Sequence, residues 1–442
     1  MAAAPHPFRI ARYRAYWLAR LATTLGQTAM VIVIGWQVYD IARRTMDVRD
    51  AAFQLGLIGV AQFAPLLLLS LFTGWIVDRV DRRWVARGAV ALETASALAL
   101  ALLTWTGDIS LPWLFGVAAL LGVARAFAGP AFGALAPNLV PAAVLPTAIA
   151  LSSVAWQTGS VIGPALGGYL YEASAWAPYA VSAGLFAFAL LMLLLIGPVP
   201  RNVAPSTRPP WEQMIDGLHY VRRNRLVLGA ISLDLFAVLL GGATAMLPIY
   251  ARDILQVGSE GLGHLRAAPA VGAVIVAIWF GWRPLKREVG LKMLAAVAVF
   301  GAATALFGLS APLFTRIYGD AAVGTDTAPA VSFAIACLFV AGAADMVSVY
   351  VRQSLIQLHT PDEMRGRVSA VSTLFISGSN ELGEARSGFV AAAVGPIAAV
   401  VAGGVGAVVV TALWAGLFPE LRRARTFDPP EQPDLTPAEE TR

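Results

Sequence analysis

Ionisable side chains stand inside stretches that are mostly apolar, among them Arg20, Arg125, Asp234, Asp345, Glu381 and Glu384. A charge in hydrocarbon costs about 2.5–3.5 kcal/mol even on insertion scales, so each of these must face a polar cavity or an opposite charge. The arginines and carboxylates can neutralise one another, which is a purely structural role. They can also do proton chemistry: a carboxylate deprived of its arginine in apolar surroundings is relieved of its desolvation penalty by taking up a proton. A group that alternates between those two conditions links proton movement to conformation. Asp345 is the first candidate for this role, then Asp234 and Glu384, with Glu381 and Arg386 nearby on the same helix and able to pair locally.

The elements that must position these charges are membrane spans. With 58% hydrophobic residues, 13% charged residues and a mean hydropathy of +0.69, the chain has about half the charge of a soluble domain. A spanning helix needs about 20 apolar residues. Twelve runs qualify, at 15–41, 53–77, 85–106, 112–136, 145–170, 176–197, 226–250, 263–282, 291–314, 330–352, 369–390 and 396–418. Barrel strands of about ten alternating residues do not produce such runs. The first run is too long for a signal-peptide core and lacks a convincing small-residue cleavage site. Placing both termini in the cytoplasm puts twenty-three Lys and Arg on the inner side against five on the outer, namely Arg43, Arg44, Arg49, Arg252 and Arg316. The net charge of +5 is therefore a bias toward anionic inner-leaflet lipid, with no nucleic acid implied.

The spans repeat. A shift of 220 lays Gly122, Ala124, Pro141, Ser152, Gly163 and Gly168 over Gly342, Ala344, Pro361, Ser372, Gly383 and Gly388; a shift of 204 lays Gly59 and Gln62–Pro65 over Gly263 and Arg266–Pro269. The reading is an N-terminal six-helix half (1–197), a linker with an amphipathic helix (198–225), a C-terminal six-helix half (226–425) and a disordered cytoplasmic tail (426–442). The linker Pro198–Pro210 is too proline-rich for a helix. Trp211, Met214, Ile215, Leu218 and Val221 then follow helical spacing, for a helix at the inner membrane surface or packed beneath the bundle as a tether. By the repeat, Asp345 occupies the position of Arg125 and is its suggested partner.

Other chemistry finds no constellation. There is no G-x-x-x-x-G-K-[ST], and the two lysines, Lys286 and Lys292, lie near one loop, so the chain has no ATP-binding P-loop. The four histidines (His6, His219, His264, His359) show no paired metal-ligand spacing, and neither H-E-x-x-H nor G-x-S-x-G occurs. No metal, cofactor or enzyme activity is expected, and His264 reads as an interfacial residue. Cys337 is alone, so no disulfide forms within the chain.

Three motifs remain. Gly159, Gly163 and Gly167 recur at i, i+4 and i+8, lining a helix face that another backbone can approach, with Pro164 inside the string and Gly168 at its end. Gly74-Trp-Ile-Val-Asp78-Arg79-Val-Asp81-Arg82-Arg83 sets one carboxylate, Asp78, among arginines after the second span, with Glu93 placed to support the cluster. Leu121–Gly129 carries the intramembrane Arg125. These resemble, in turn, the antiporter signature, the cytoplasmic loop motif and the fourth-helix motif of major facilitator superfamily exporters. Asp81 departs from the loop motif, which has glycine there. Ile34–Asp40, Ala61–Trp75 and Arg365–Glu384 are most similar to the branch of enterobactin exporter-like and macrolide efflux-like proteins.

The resemblance implies an all-α polytopic membrane protein with the major facilitator fold of 12 transmembrane helices in two pseudo-symmetric six-helix halves. It places helices one, four, seven and ten around a central cavity. The glycine string would seal the outer gate between the halves, and the Asp78 cluster would act as a cytoplasmic latch. Arg125 would join the proton path. The implied activity is secondary active export of small siderophore-like or drug-like molecules by proton antiport and alternating access, from a monomer in the bacterial inner membrane. Trp36, Gln37, Trp156, Gln157 and Phe236 offer aromatic and amide surface for such a substrate. The alternatives are an importer or symporter of the same fold and a transport-inactive membrane sensor.

Overall fold

The computed structural model describes residues 6–141, 144–198, 210–283, 285 and 287–427. Among these the chain is helical throughout its regular structure, with no strand. The first half forms α1 (Ala11–Ala42), α2 (Val48–Arg79), α3 (Arg82–Thr106), α4 (Leu111–Leu135), α5 (Leu145–Ala173) and α6 (Ala177–Leu194). A shorter helix, α7 (Pro210–Arg223), follows. The second half forms α8 (Arg225–Gly241), carried on by short helical turns to Ile254, then α9 (Gly258–Trp282), α10 (Val289–Gly308), a short α11 (Ser310–Tyr318), α12 (Pro329–Leu358), α13 (Asp362–Val394) and α14 (Pro396–Leu417). Ten of the twelve predicted spans have the length and apolar composition to cross a membrane within the described residues. The remaining two, α5 and α13, hold 29 and 33 residues. Most of the tail and linker, 199–209 and 428–442, lie outside the described residues.

The two halves repeat one packing scheme. In the first, α1 packs on α5 and α6, α2 on α4, and α3 on α4 and α6. In the second, α8 packs on α13 and α14, α9 on α12, and α10 on α12 and α14. Glycines set the tightest approaches, because lipid tails give helices no hydrophobic reason to associate and contact depends on close backbone packing. A Cβ at Gly122 would run into the Gln62 carbonyl on α2; a Cβ at the repeat-related Gly342 would run into the Pro269 carbonyl on α9.

The start of α1 and the end of α14 lie at one end of the bundle, the terminal end, and the α1–α2 turn lies at the other, the distal end. The halves approach each other distally through two repeat-related contacts. A Cβ at Gly168 on α5 would lie 2.9 Å from Gly263 Cα and from the Ser259 carbonyl on α9. Gly388 on α13 faces the backbone of Gly56 on α2, where a Cβ would lie 2.9 Å from the Ala52 carbonyl. Polar ties surround these contacts. Arg252 pairs with Asp40 at 2.6 Å, Arg43 with Asp253 at 3.4 Å, and the Tyr39 hydroxyl donates to the same Asp253. Ser259 donates to Glu172. At the terminal end α7 is packed beneath the bundle: Met214 and Val221 join Val368 and Val371 of α13, and Arg367 donates to Asp216 at 3.0 Å.

Gly342→Ala should therefore force α9 and α12 apart and cost about 1–3 kcal/mol. Gly116→Ala, with nothing within 4 Å of its Cβ, should leave stability unchanged or slightly higher. Thermal unfolding of the detergent-solubilised protein checks this, and equal melting temperatures for both variants would refute the packing argument.

Candidate functional site

The span begun by α8 breaks where the charges gather. Gly241 and Gly242 end α8, with Gly242 at φ −61°, ψ 65°; a 3-10 turn (Ala243–Met246) and a wide π-turn (Tyr250–Ile254) then complete the crossing. Breaking a helix leaves carbonyls without partners. Arg386 on α13 satisfies one of them, donating from Nη1 to the Leu240 carbonyl at 2.9 Å. The break also admits α13 closely, since a Cβ at Gly242 would lie 3.0 Å from the Gly383 carbonyl. Across this contact the Thr244 hydroxyl, in the 3-10 turn, donates to Glu384 Oε1 at 3.3 Å.

Glu384 belongs to a cluster of four charges from three helices. Arg125 Nη2 on α4 pairs with Glu381 Oε1 on α13 at 2.9 Å, with side chains 30% and 13% exposed. Glu384, one turn further along α13, lies in the field of Glu381, of Arg266 on α9 and of Arg125. Two cations and two carboxylates can balance with no surplus, and both carboxylates share the influence of Arg125. A small cavity of ≈ 50 Å³ reaches this point between the halves, lined by Gln62, Gly59, Thr244, Pro248, Arg266 and Glu384.

Several expected partnerships differ. Arg125 pairs with Glu381, not Asp345, because α2 supports both α4 and α13 and draws Glu381 toward the arginine. Asp345 is half-buried and has no hydrogen-bond or ion-pair partner among the described residues. Arg386 caps the broken end of α8 and pairs with neither Glu381 nor Glu384. Asp234 forms a buried ion pair with Arg352, near the terminal end of α12; the two side chains are only 6% and 3% exposed. Glu93 is not part of the loop cluster: it is fully buried inside the first half, accepting from Gln27 Nε2. Arg20, on α1, has a buried Nε with no partner among the described residues.

The motifs are corrected in the same way. The stripe Gly159, Gly163, Gly167 faces Thr24, Leu25, Thr28 and Ala29 of α1, within the first half, and the Thr28 hydroxyl donates to the Gly159 carbonyl at 2.9 Å. Only Gly168 of the string reaches across to the second half; Pro164 lies inside α5. In the loop after α2, Asp81 caps α3 and pairs with Arg83 at 2.6 Å, while Arg82 donates to the Ala134 carbonyl of α4 at 3.0 Å. Arg79 is exposed, and the surroundings of Gly74 and the side chain of Asp78 lie outside the described residues. Of the aromatic and amide candidates, Gln37 is buried between Tyr179 and Thr104 and Trp36 is buried against Tyr171, so both serve packing, whereas Phe236 is exposed, its ring tilted against Trp414 at 5.2 Å between centroids. Trp156 is exposed and Gln157 half-buried on α5. Arg266, Thr244 and Arg352 were missed. The repeat, which sets Arg266 over Gln62, and the paired Gly241-Gly242 inside a span were the available signals.

The sequence profile of the Major Facilitator Superfamily matches residues 16–384. The chain belongs to this superfamily. It is a multi-pass membrane transporter of small molecules, not an enzyme. Curated relatives include the enterobactin exporter EntS of Shigella boydii and of Escherichia coli, each 27% identical over 434 residues covering 94% of both chains. Among solved structures, a bacterial homologue of the lysosomal transporter Spinster matches with a TM-score of 0.69 at 16% identity, over 95% of this chain and 99% of that one. A bacterial homologue of the iron transporter ferroportin matches with a TM-score of 0.65 at 18% identity, over 95% and 100%. Both share the fold.

Two outcomes follow for this member of the superfamily. Asp234→Asn strands Arg352 as an uncompensated buried charge and should destabilise the transporter by about 3–5 kcal/mol, with much of the loss recovered in the double variant Asp234→Asn/Arg352→Met. Melting temperatures of the three proteins check it. At the α2–α3 turn, the Arg83 guanidinium holds the Asp81 carboxyl below the usual carboxylate range. A lowered pKa contributes stability above the unfolded-state value that disappears as pH falls through the folded-state value. Asp81→Asn should thus lower the melting temperature at neutral pH and converge with wild type in acid.

Proposed function

We propose that this transporter is a proton-coupled exporter of the bacterial inner membrane, with both termini cytoplasmic, carrying siderophore-like or drug-like molecules outward by alternating access. The observation that carries this reading is the shared cluster of Arg125, Glu381, Glu384 and Arg266 beside the broken span. Its carboxylates compete for arginine partners, so a rearrangement of the halves can leave one without a counter-ion. Proton uptake at Glu384 then restores neutrality in the unpaired state, and re-pairing releases the proton. The Lys and Arg bias toward the terminal end supports the orientation. In that orientation the distal contacts close the outer side. The exporter relatives support the direction. A monomer is sufficient for this cycle, since both halves belong to one chain.

Purified protein in liposomes with an imposed proton gradient tests the reading, following internal pH and a panel of dyes and catecholate ligands. Ligand-dependent proton movement is expected for wild type, lost in Glu384→Gln and kept in Asp345→Asn. Loss in Asp345→Asn alone would move the proton site to Asp345. Ligand movement indifferent to the gradient in wild type would overturn proton coupling, and accumulation against the exporter direction would overturn export.

A further inference from the structure

The first turns of α9 and the loop before α12 meet at the distal end. Glu260 and His264 are four residues apart on α9, so their side chains share one helix face. Asp326 approaches them from the loop, which is pinned to the second half by the hydrogen bond from Gly324 N to the Leu255 carbonyl at 2.9 Å. His264 Nδ1 lies 3.3 Å from Asp326 Oδ2, and one ligand atom from each of the three residues falls within 4.8 Å of the others. The opposite ring nitrogen, Nε2, is engaged by the hydroxyl of Tyr169, which belongs to α5 of the other half. A histidine that binds a metal through one nitrogen is usually held by a hydrogen bond at the other, which fixes the tautomer and the ring orientation.

We propose that Glu260, His264 and Asp326 form a binding site for a divalent transition cation of the zinc class, with Tyr169 as its outer support. One imidazole and two carboxylates suit zinc, and three protein ligands leave a fourth position for water. Ligands about 2.0–2.2 Å from a common metal stand no more than about 4.4 Å apart, so small rotations of the two exposed carboxylates close the site. The three ligands come from the second half and the support from the first. Tyr169 can hold His264 only while the distal end is closed, so the cation binds the closed state more tightly and shifts the protein toward it. Regulation of transport by an extramembrane cation follows from that difference.

The test is titration of the full-length detergent-purified protein with ZnCl2 by calorimetry, together with melting temperatures. Wild type is expected to bind one Zn²⁺ per chain and to melt at a higher temperature with Zn²⁺ present. His264→Ala and Asp326→Asn should abolish binding, Tyr169→Phe should weaken it about 10-fold to 100-fold, and MgCl2 should not compete. Each variant should melt as wild type does without Zn²⁺; should His264→Ala melt lower, Asp326→Asn at its exposed carboxylate decides alone. Absence of Zn²⁺ binding in wild type, or undiminished binding in Asp326→Asn, would overturn the site. Equal affinity in Tyr169→Phe and wild type would overturn the link to the closed distal end.

Discussion

The arrangement depends on backbone-to-backbone approach at a few glycines. In hydrocarbon, helices gain nothing from hiding apolar side chains from each other, so association must come from contact surface and hydrogen bonds. Gly388 against Gly56 brings α13 onto α2, and Gly168 against Gly263 brings α5 onto α9. The first contact has the larger consequence. With α13 held on α2, and α4 already packed on α2, Glu381 arrives at Arg125 without any pairing preference having to draw it there. Glu384 arrives one turn away, against the broken span.

The two ion-pair systems of the interior serve different ends, and their surroundings separate them. Asp234 and Arg352 are almost wholly buried, each with the other as its counter-charge. Moving one away would leave a naked charge in low dielectric, so this pair behaves as a fixed tie between α8 and α12. Arg125 and Glu381 are more open, and a second carboxylate and a second arginine stand beside them. Separation there leaves a carboxylate that a single proton neutralises. That difference makes the cluster, and not the more deeply buried pair, fit for a cycle in which charges separate and rejoin.

Composition and run length were enough to read the class and spans from the sequence, because crossing a bilayer constrains every residue of a helix at once. The glycine string was legible as a packing seam, although its partner was not: spacing shows which face is small, and nothing in it distinguishes α1 of the same half from α9 of the other. Pairing across the repeat failed for a geometric reason. The repeat relates Arg125 to Asp345 as equivalents about a pseudo-axis, whereas neighbours are set by which helices lean together. Arg386 and Glu93 were misread because local sequence neighbourhood suggested their partners, while a broken helix end and the half-buried Gln27 supplied them. Gln37 and Trp36 were polar or aromatic enough for a binding site, yet Tyr179, Thr104 and Tyr171 take them into packing.

The polar ties at the distal end bear on how the two states balance. Arg43, Asp253, Arg252 and Asp40 are each a quarter to a third exposed, so solvent screens them and each pair contributes on the order of 1 kcal/mol or less. The glycine contacts add dispersion over a small area and carry no charge. A closure assembled from several weak, separable interactions can be undone by a differential binding energy of a few kcal/mol, whereas one deeply buried pair across the halves could not. The buried pair instead lies within the second half, between α8 and α12, where it need not break when the halves rock. The most deeply buried pair thus lies inside one half, and the solvent-screened pairs surround the distal contact between the halves.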